Sequence, residues 1–214
     1  MQKFSTEFIK TFISIFFLIP LVIGALVFSK LLFQIIIILV AIGMLLEWYN
    51  MTQSSQNYLL LGLIIIPIPI ASILLITMTA ANYQYVLLTY FIIIWATDSA
   101  AMFGGKKFQG PKLAPKLSPN KTWSGLIIGV LTASILIRIA TFIPGYDFVY
   151  QGFSLSVFAG LMGVIAQISD LFISFFKRRF HLKDTGNIIP GHGGILDRCD
   201  AGILTAPILL YIIL

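Results

Sequence analysis

The chain has 214 residues, of which 58% are hydrophobic and only 10% are charged, and its formal net charge is +6. Its mean hydropathy is +0.98. Repeated apolar runs of about 20 residues indicate a polytopic helical membrane protein and exclude a soluble globular domain. The single cysteine, Cys199, excludes an internal disulfide. We therefore expect an all-α integral membrane protein with one polytopic domain over residues 1–214.

Seven apolar runs predict seven transmembrane helices. The first run follows a basic flank without a small-residue cleavage site, which favours a retained span over a signal peptide. Pro67 and Pro69 predict a kink in the third helix, because a bilayer tolerates proline where neighbours satisfy the freed backbone groups. The seventh run is just long enough to cross at about 1.5 Å per residue. The runs cover approximately residues 11–28, 31–48, 58–78, 85–103, 123–143, 153–173 and 195–214.

The basic residues predict the orientation. If the amino terminus shares a side with the loops after the second, fourth and sixth helices, that side holds every Lys and Arg except Lys30 and Arg138. The positive-inside rule places this side in the cytoplasm, so we expect two basic cytoplasmic loops on a protein of the cell's inner membrane. Orientation alone explains the basic residues from Gly105 to Lys121, but it does not explain the nearby acids.

Most of the acidic residues cluster in or beside these two loops. Carboxylates at the ends of apolar helices are costly unless they are paired or bound to metal, so they are functional candidates. Asp197 and Asp200 are three residues apart, which predicts one face of the seventh helix. The same spacing argument groups four polar residues of the sixth helix: Gln167, Asp170, Ser174 and Lys177. The clustered acids are Asp98, Asp170, Asp184, Asp197 and Asp200.

Carboxylates from several helices among basic side chains indicate a site for Mg²⁺ and phosphate. Mg²⁺ takes one or two protein carboxylates and completes its shell with water and substrate phosphate. The bases can neutralise phosphate, and glycines around His192 let backbone amides approach an anion. The pattern predicts phosphoryl or nucleotidyl transfer, with a second metal left open. The alternative is a set of structural ion pairs, such as Asp170 with Lys177 or Asp197 with Arg198.

The charged segment also resembles a known family signature. Residues 174–200 read SFFKRRFHLKDTGNIIPGHGGILDRCD. Earlier in the chain, Asp98 is followed by a second segment, LSPNKTW, at Leu117–Trp123. Together these residues are similar to the signature of phosphatidate cytidylyltransferases, also called CDP-diacylglycerol synthases. The resemblance covers about Trp95 to Asp200, and it implies a catalytic region at 95–214 after amino-terminal spans at 1–94. The matching positions in the longer segment are Ser174, Lys177, Arg178, Lys183, Asp184, Gly186, Pro190, His192, Gly193, Gly194, Asp197, Arg198 and Asp200.

The resemblance implies transfer of a cytidylyl group from CTP to phosphatidate, in the lipid bilayer, with release of pyrophosphate. It implies Mg²⁺ ligands at Asp170 and Asp197, with Asp200 as a further ligand or a partner of Arg198. By this resemblance, Asp170 and Asp197 are catalytic as metal ligands. The other catalytic residues, which the resemblance assigns to phosphate oxygens, are Lys177, Arg178, Lys183 and Arg198. The expected substrate-binding residues are Ser118, Lys121, Thr122, Ser174, Asp98, Asp184, His192, Gly193 and Gly194.

The sequence departs from the family pattern at a few positions, and two other functions stay open. Ser124 replaces the usual glutamate and Ser169 the usual glycine, while Cys199 and Ala201 are small changes beside the core positions. A transporter is one alternative, although its carboxylates should lie near the bilayer midplane. A CTP-dependent lipid or polyprenol kinase is the other. A homodimer is left open. No nucleic-acid partner is expected, because the bases lie in membrane-bordering loops among acids.

Overall fold

The structure is a computed structural model that describes residues 20–140, 155–188 and 193–214. Within these ranges the chain is almost entirely helical, with one small β-hairpin in the loop after the fourth predicted transmembrane helix. The elements are α1 (20–28), α2 (Lys30–Thr52), α3 (Gln56–Ile65), α4 (Pro67–Thr79), α5 (Tyr83–Phe108), β1 (Lys112–Ala114), β2 (Ser118–Thr122), α6 (Trp123–Ala140), α7 (Leu155–Arg179), α8 (Leu196–Cys199) and α9 (Gly202–Ile213).

Four helical segments of the described chain are long and apolar enough to cross a membrane. They are α2, the combined α3 and α4, α5 and α7, with 23 to 26 residues each. This confirms the helical membrane class. The fifth and seventh apolar runs form the shorter apolar helices α6 and α9. The first half of the first run, residues 11–19, lies outside the described residues, so the count of seven crossings stays a prediction.

The sequence explains where the helices begin and break. Ser29 caps α2, because its hydroxyl oxygen accepts the backbone N–H of Leu32 at 3.3 Å. The predicted kink in the third apolar run is the junction between α3 and α4, where Pro67 is the first residue of α4. Proline suits this position, since the first helical residue needs no N–H donor.

The loop between α5 and α6 is more ordered than the sequence predicts. Helix α5 continues to Phe108, beyond the predicted end at residue 103, and the hairpin follows it. Strands β1 and β2 are antiparallel, with Ala114 opposite Ser118. The hydroxyl oxygen of Thr122 accepts the backbone N–H of Gly125 at 3.1 Å and so caps the start of α6. The basic loop is therefore a short hairpin attached to two helices.

The seventh apolar run is not one continuous helix, because it divides into α8 and α9. The backbone at Asp200 and Ala201 keeps helical dihedral angles, so the shared face of Asp197 and Asp200 stays a prediction. Asp197 lies in α8, whereas Asp200 lies in the turn before α9. The buried hydroxyl of Ser169 donates to the Asp200 carbonyl. The same hydroxyl accepts the backbone N–H of Leu204 at 3.1 Å. A side chain from α7 thus occupies the place of a regular helical hydrogen bond, and the helix is interrupted there.

Close packing of α6 on α5 holds the hairpin over the end of α5. A β-carbon added at Gly125 would lie 2.5 Å from the Ala101 carbonyl oxygen, and one at Gly129 would lie 2.7 Å from the Thr97 carbonyl oxygen. Only glycine allows the two helix backbones to approach so closely, as is common between membrane helices. Because β2 leads directly into α6, this contact also fixes the position of Lys121.

Candidate active site

A chain of polar side chains joins α5, the hairpin and α7. The Gln167 amide nitrogen donates to Asp98 Oδ1 at 2.7 Å. The amide oxygen of the same side chain accepts Lys121 Nζ at 2.8 Å. Lys121 Nζ also lies 2.5 Å from Asp170 Oδ2. Residues from three elements that are distant in sequence are therefore in direct contact at one place.

Three of the four polar residues predicted for one face of α7 act together. Gln167 and Asp170 bind the same lysine, and Ser174 Oγ donates to Asp170 Oδ1 at 3.3 Å. This confirms the shared face, which follows from spacings of three and four residues. The pairing differs from the structural alternative drawn from the sequence, because Asp170 pairs with Lys121 and not with Lys177.

Lys177 instead binds Asp197, which organises the segment after α7. Lys177 Nζ donates to Asp197 Oδ1 at 2.8 Å, and the backbone amides of Thr185 and Gly194 donate to Oδ2 at 2.8 and 3.0 Å. Only 5% of the Asp197 side chain is exposed. Burial acts to raise the pKa of Asp197, but the hydrogen bond from Lys177 and those from the two amides outweigh it and hold the pKa below its usual value.

Asp200 brings a third carboxylate close to Asp98 and Asp170. Its side chain is buried, and the backbone N–H of Ala201 donates to Oδ1 at 2.8 Å. Burial, followed by the negative charge of Asp170, raises the pKa of Asp200 well above its ordinary value, although Lys177 opposes this. Carboxylates that repel one another at a buried site are stabilised by a cation. A raised pKa means that the neutral form of Asp200 is favoured unless a cation lies nearby.

The donor groups fit Mg²⁺ at Asp170 and Asp200 better than at Asp197. Within residues 20–140, 155–188 and 193–214, no three His, Cys, Asp or Glu residues are arranged to hold a metal together. Mg²⁺ needs only one or two protein carboxylates when water and phosphate fill its remaining positions. Asp170 Oδ1 accepts only a long bond from Ser174, and its Oδ2 pairs with Lys121. Asp197 accepts three N–H donors.

Several other predicted site residues have structural contacts. Arg178 Nε donates to the Leu117 carbonyl at 3.1 Å, and its terminal nitrogen donates to the Leu182 carbonyl at 2.9 Å. Arg178 therefore attaches the hairpin turn to the end of α7. Thr122 caps α6, and Ser118 pairs within the hairpin. These contacts do not test a role in substrate binding, which stays a prediction for all three residues.

The remaining predicted residues lie along the segment between α7 and α9. Lys183, Asp184 and Arg198 are exposed at the surface. Gly193 lies beside Asp197 and has a φ of +81°, a conformation that favours glycine. Gly194 is buried and donates its amide to Asp197. His192, like Pro190, lies outside the described residues. The phosphate-binding roles of this group stay predictions.

Sequence reasoning missed Glu47 as a site residue. This side chain belongs to the membrane-length helix α2, is 1% exposed, and accepts hydrogen bonds from the segment that carries Asp197. The signal in the sequence was a carboxylate inside an apolar run, beside Trp48. Nothing local in the sequence shows which distant segment this carboxylate contacts.

Comparisons with known proteins show the family of this chain. Residues 55–214 match the cytidylyltransferase family. The chain belongs to this family. The phosphatidate cytidylyltransferase of Rickettsia felis is 54% identical over 199 residues, which cover 91% of this chain and 87% of that protein. The phosphatidate cytidylyltransferase of Rickettsia bellii is 52% identical over 199 residues, 91% of this chain and 86% of that protein.

A more distant relative supports the same family assignment. The phosphatidate cytidylyltransferase of Brucella melitensis is 46% identical over 125 residues, which cover 57% of this chain and 44% of that protein. These matches confirm the resemblance drawn from the sequence. The region that matches the cytidylyltransferase family contains α3 to α9, including the hairpin, Asp98, Asp170 and Asp200, and it begins after Glu47.

Proposed function

We propose that this chain transfers the cytidylyl group of CTP to phosphatidate and so produces CDP-diacylglycerol and pyrophosphate. A phosphate oxygen of phosphatidate forms a bond to the α-phosphorus of CTP, and the bond from that phosphorus to the bridging oxygen of pyrophosphate breaks. The observation that carries the proposal is the match, over 91% of the chain, to relatives named phosphatidate cytidylyltransferase. The enzyme is thus a nucleotidyltransferase of phospholipid synthesis.

The residues of the site suit a reaction between two anions. Phosphatidate and CTP repel each other, so the protein must mainly position them and neutralise their charge. A phosphate monoester is largely ionised near neutral pH, and therefore no strong general base is required. Lys121 and Lys177 place positive charge beside the carboxylates of α7 and α8. We assign Arg178, Lys183 and Arg198 to the phosphate oxygens with them.

The carboxylates of the site are proposed to hold Mg²⁺. When bound, the metal supplies positive charge to the phosphate oxygens and to the departing pyrophosphate. Asp170 and Asp200 are its preferred ligands, because Asp197 already accepts three N–H groups. Asp197 serves the site by fixing Lys177 and the amides of Thr185 and Gly194.

The membrane arrangement brings a soluble and a lipid substrate together. CTP is dissolved in the cytosol, whereas phosphatidate lies in the leaflet. Asp98 and Asp170 lie towards the carboxyl ends of α5 and α7, and a basic segment follows each helix. The positive-inside rule supports a cytoplasmic position for this end of the helices, at the headgroups of the inner membrane.

Product analysis of the purified protein tests the proposed function. The protein in detergent is incubated with CTP, Mg²⁺ and phosphatidate, and we expect pyrophosphate and a CDP-lipid in equal amounts. Diacylglycerol or a polyprenol in place of phosphatidate should give no product. Release of CDP together with a phosphorylated lipid would identify a kinase and contradict the proposal. Asp170→Asn should lower the rate by at least about 100-fold, as expected when a charged group in contact with the reactants is lost.

A further inference from the structure

We propose that Glu47 is a positioning residue, which holds the segment formed by residues 185–188 and 193–197 against α2 so that Asp197 stays paired with Lys177 and Asp200 keeps its place in the site. This inference rests on the proposed function for its activity readout. Glu47 lies on a membrane-length helix and is 1% exposed. A buried carboxyl group on such a helix is costly unless donors satisfy both of its oxygens.

Within the described part of the chain, Glu47 accepts three hydrogen bonds, and all three donors belong to the segment between α7 and α9. Ile195 N donates to Oε1 at 2.8 Å. Leu196 N and Thr185 Oγ1 donate to Oε2, each at 2.9 Å. These partners lie 138 to 149 residues away from Glu47 in sequence. Both oxygens of one side chain therefore join α2 to the start of α8.

Glycines make this close contact sterically allowed. A β-carbon at Gly194 would lie 2.3 Å from Glu47 Oε2, and one at Gly186 would lie 2.7 Å from Oε1. One turn earlier on α2, a β-carbon at Gly43 would lie 2.4 Å from the Ile195 side chain. Such distances are far below van der Waals contact. Glycine on both sides therefore allows α2 and the segment to approach each other.

The hydrogen bonds of Glu47 continue directly into those of Asp197. Thr185 gives its hydroxyl to Glu47 and its backbone amide to Asp197. Gly194 gives its amide to Asp197, and the next residue, Ile195, gives its amide to Glu47. The two carboxyl groups thus bind the same residue, Thr185, and two adjacent residues, Gly194 and Ile195. A shift of the backbone at Gly194 and Ile195 would therefore displace Asp197 from Lys177, and it would displace Asp200 one turn further on.

Glutamine cannot replace Glu47 without leaving a donor unpaired. Its side chain has nearly the same shape, but it offers one acceptor oxygen and one NH₂ donor. The Thr185 hydroxyl can reverse and accept, whereas the amides of Ile195 and Leu196 can only donate. One of these buried amides therefore loses its acceptor and faces another donor, which is the costly case. Aspartate keeps both acceptor oxygens on a shorter side chain.

Two variants and a matched control test the proposal. Glu47→Gln removes one acceptor, and Glu47→Asp retains both. Gln34→Met is the control, because Gln34 lies on the same helix and donates to Thr77 Oγ1 at 2.7 Å, away from the segment. It removes a partly buried hydrogen bond between helices without touching the site. Thermal unfolding in detergent gives the stability of each variant, so that loss of fold is separated from loss of position.

Turnover and thiol labelling report the position of the segment. The only cysteine of the chain, Cys199, lies in α8, is partly buried, and donates its backbone N–H to the Ile195 carbonyl. In Glu47→Gln we expect maleimide to label Cys199 faster and kcat to fall about 10- to 100-fold, the size expected for one or two buried hydrogen bonds. KM for CTP should change less than kcat. Glu47→Asp should partly restore the wild-type labelling rate and kcat. Gln34→Met should match the wild type in both of these quantities.

Three results would overturn the inference. The first is that Glu47→Gln has the labelling rate and kcat of the wild type. The second is that Gln34→Met changes the labelling rate and kcat as much as Glu47→Gln does. The third is that Glu47→Asp, at equal stability, restores neither quantity. Failure of the proposed function gives a different result, because the wild-type protein itself would then form no CDP-lipid. In that case Cys199 labelling, which needs no substrate, still tests whether Glu47 holds the segment.

Discussion

Replacing Lys121 with methionine tests whether Asp170 holds a cation or only pairs with a lysine. Lys121 Nζ lies 2.5 Å from Asp170 Oδ2 and 2.8 Å from the Gln167 amide oxygen. Methionine keeps much of the length of the side chain but has no charge and no donor. The substitution therefore frees Asp170 Oδ2, and it also removes a positive charge from the site.

The contacts set the expected magnitude. A hydrogen bond to a charged group contributes about 1.5–3 kcal/mol. The side chains of Lys121 and Asp170 are 18% and 25% exposed, so the lower end of that range applies, which is about tenfold in an equilibrium constant. A cation that competes with Lys121 for Asp170 should then bind about tenfold more tightly in the variant. Turnover should fall about 10- to 100-fold, because less charge is available to neutralise the phosphates.

A Mg²⁺ titration of pyrophosphate release measures both effects. Lys116→Met is the matched control, since Lys116 is exposed in the turn of the same hairpin. We expect the half-saturating Mg²⁺ concentration to fall in Lys121→Met and to stay unchanged in Lys116→Met. A lower turnover with an unchanged Mg²⁺ requirement would refute the reasoning, because Asp170 and Lys121 would then be a structural pair that no cation opens.

Three further predictions concern the segment around Asp197 and the helix break. Asp197→Asn should lower the melting temperature near neutral pH. Because folding lowers the pKa of Asp197, the stabilisation by the wild-type carboxylate should persist down to the unfolded pKa of about 3.9 and be lost as pH falls through the lower folded pKa. Melting temperatures measured over a pH series check this. Gly194→Ala should lower turnover at least about tenfold, because the new β-carbon would lie 2.3 Å from Glu47 Oε2. The control Gly24→Ala should match the wild type, because no atom lies within 4 Å of its β-carbon. Equal turnover in both variants would contradict this prediction. Ser169→Ala should reduce the free energy of unfolding by about 1–3 kcal/mol, because it removes the hydroxyl that bridges the backbone between α8 and α9. An unchanged thermal unfolding curve would contradict this prediction.

Local features of the site could be predicted because they depend on spacing along one helix. The separations of Gln167, Asp170 and Ser174 place them on one face of α7 whatever surrounds the helix. Membrane-length helices likewise follow from the apolar runs, since a bilayer requires the backbone to satisfy its own hydrogen bonds. The family could be identified from the charged segment, because its residues stand at fixed separations within 27 positions.

The sequence by itself determined the helical membrane class, the face of α7 that carries the polar residues, and the family. Only the tertiary structure decided which charges meet: Lys121 with Asp170, Lys177 with Asp197, and Glu47 with the amides before α8. Basic and acidic residues are numerous in both loops, so composition allows many pairings of similar energy. The packing of α2, α5 and α7 selects among them, because a hydrogen bond needs contact within about 3 Å and only the folded helices bring residues so distant in sequence to that separation.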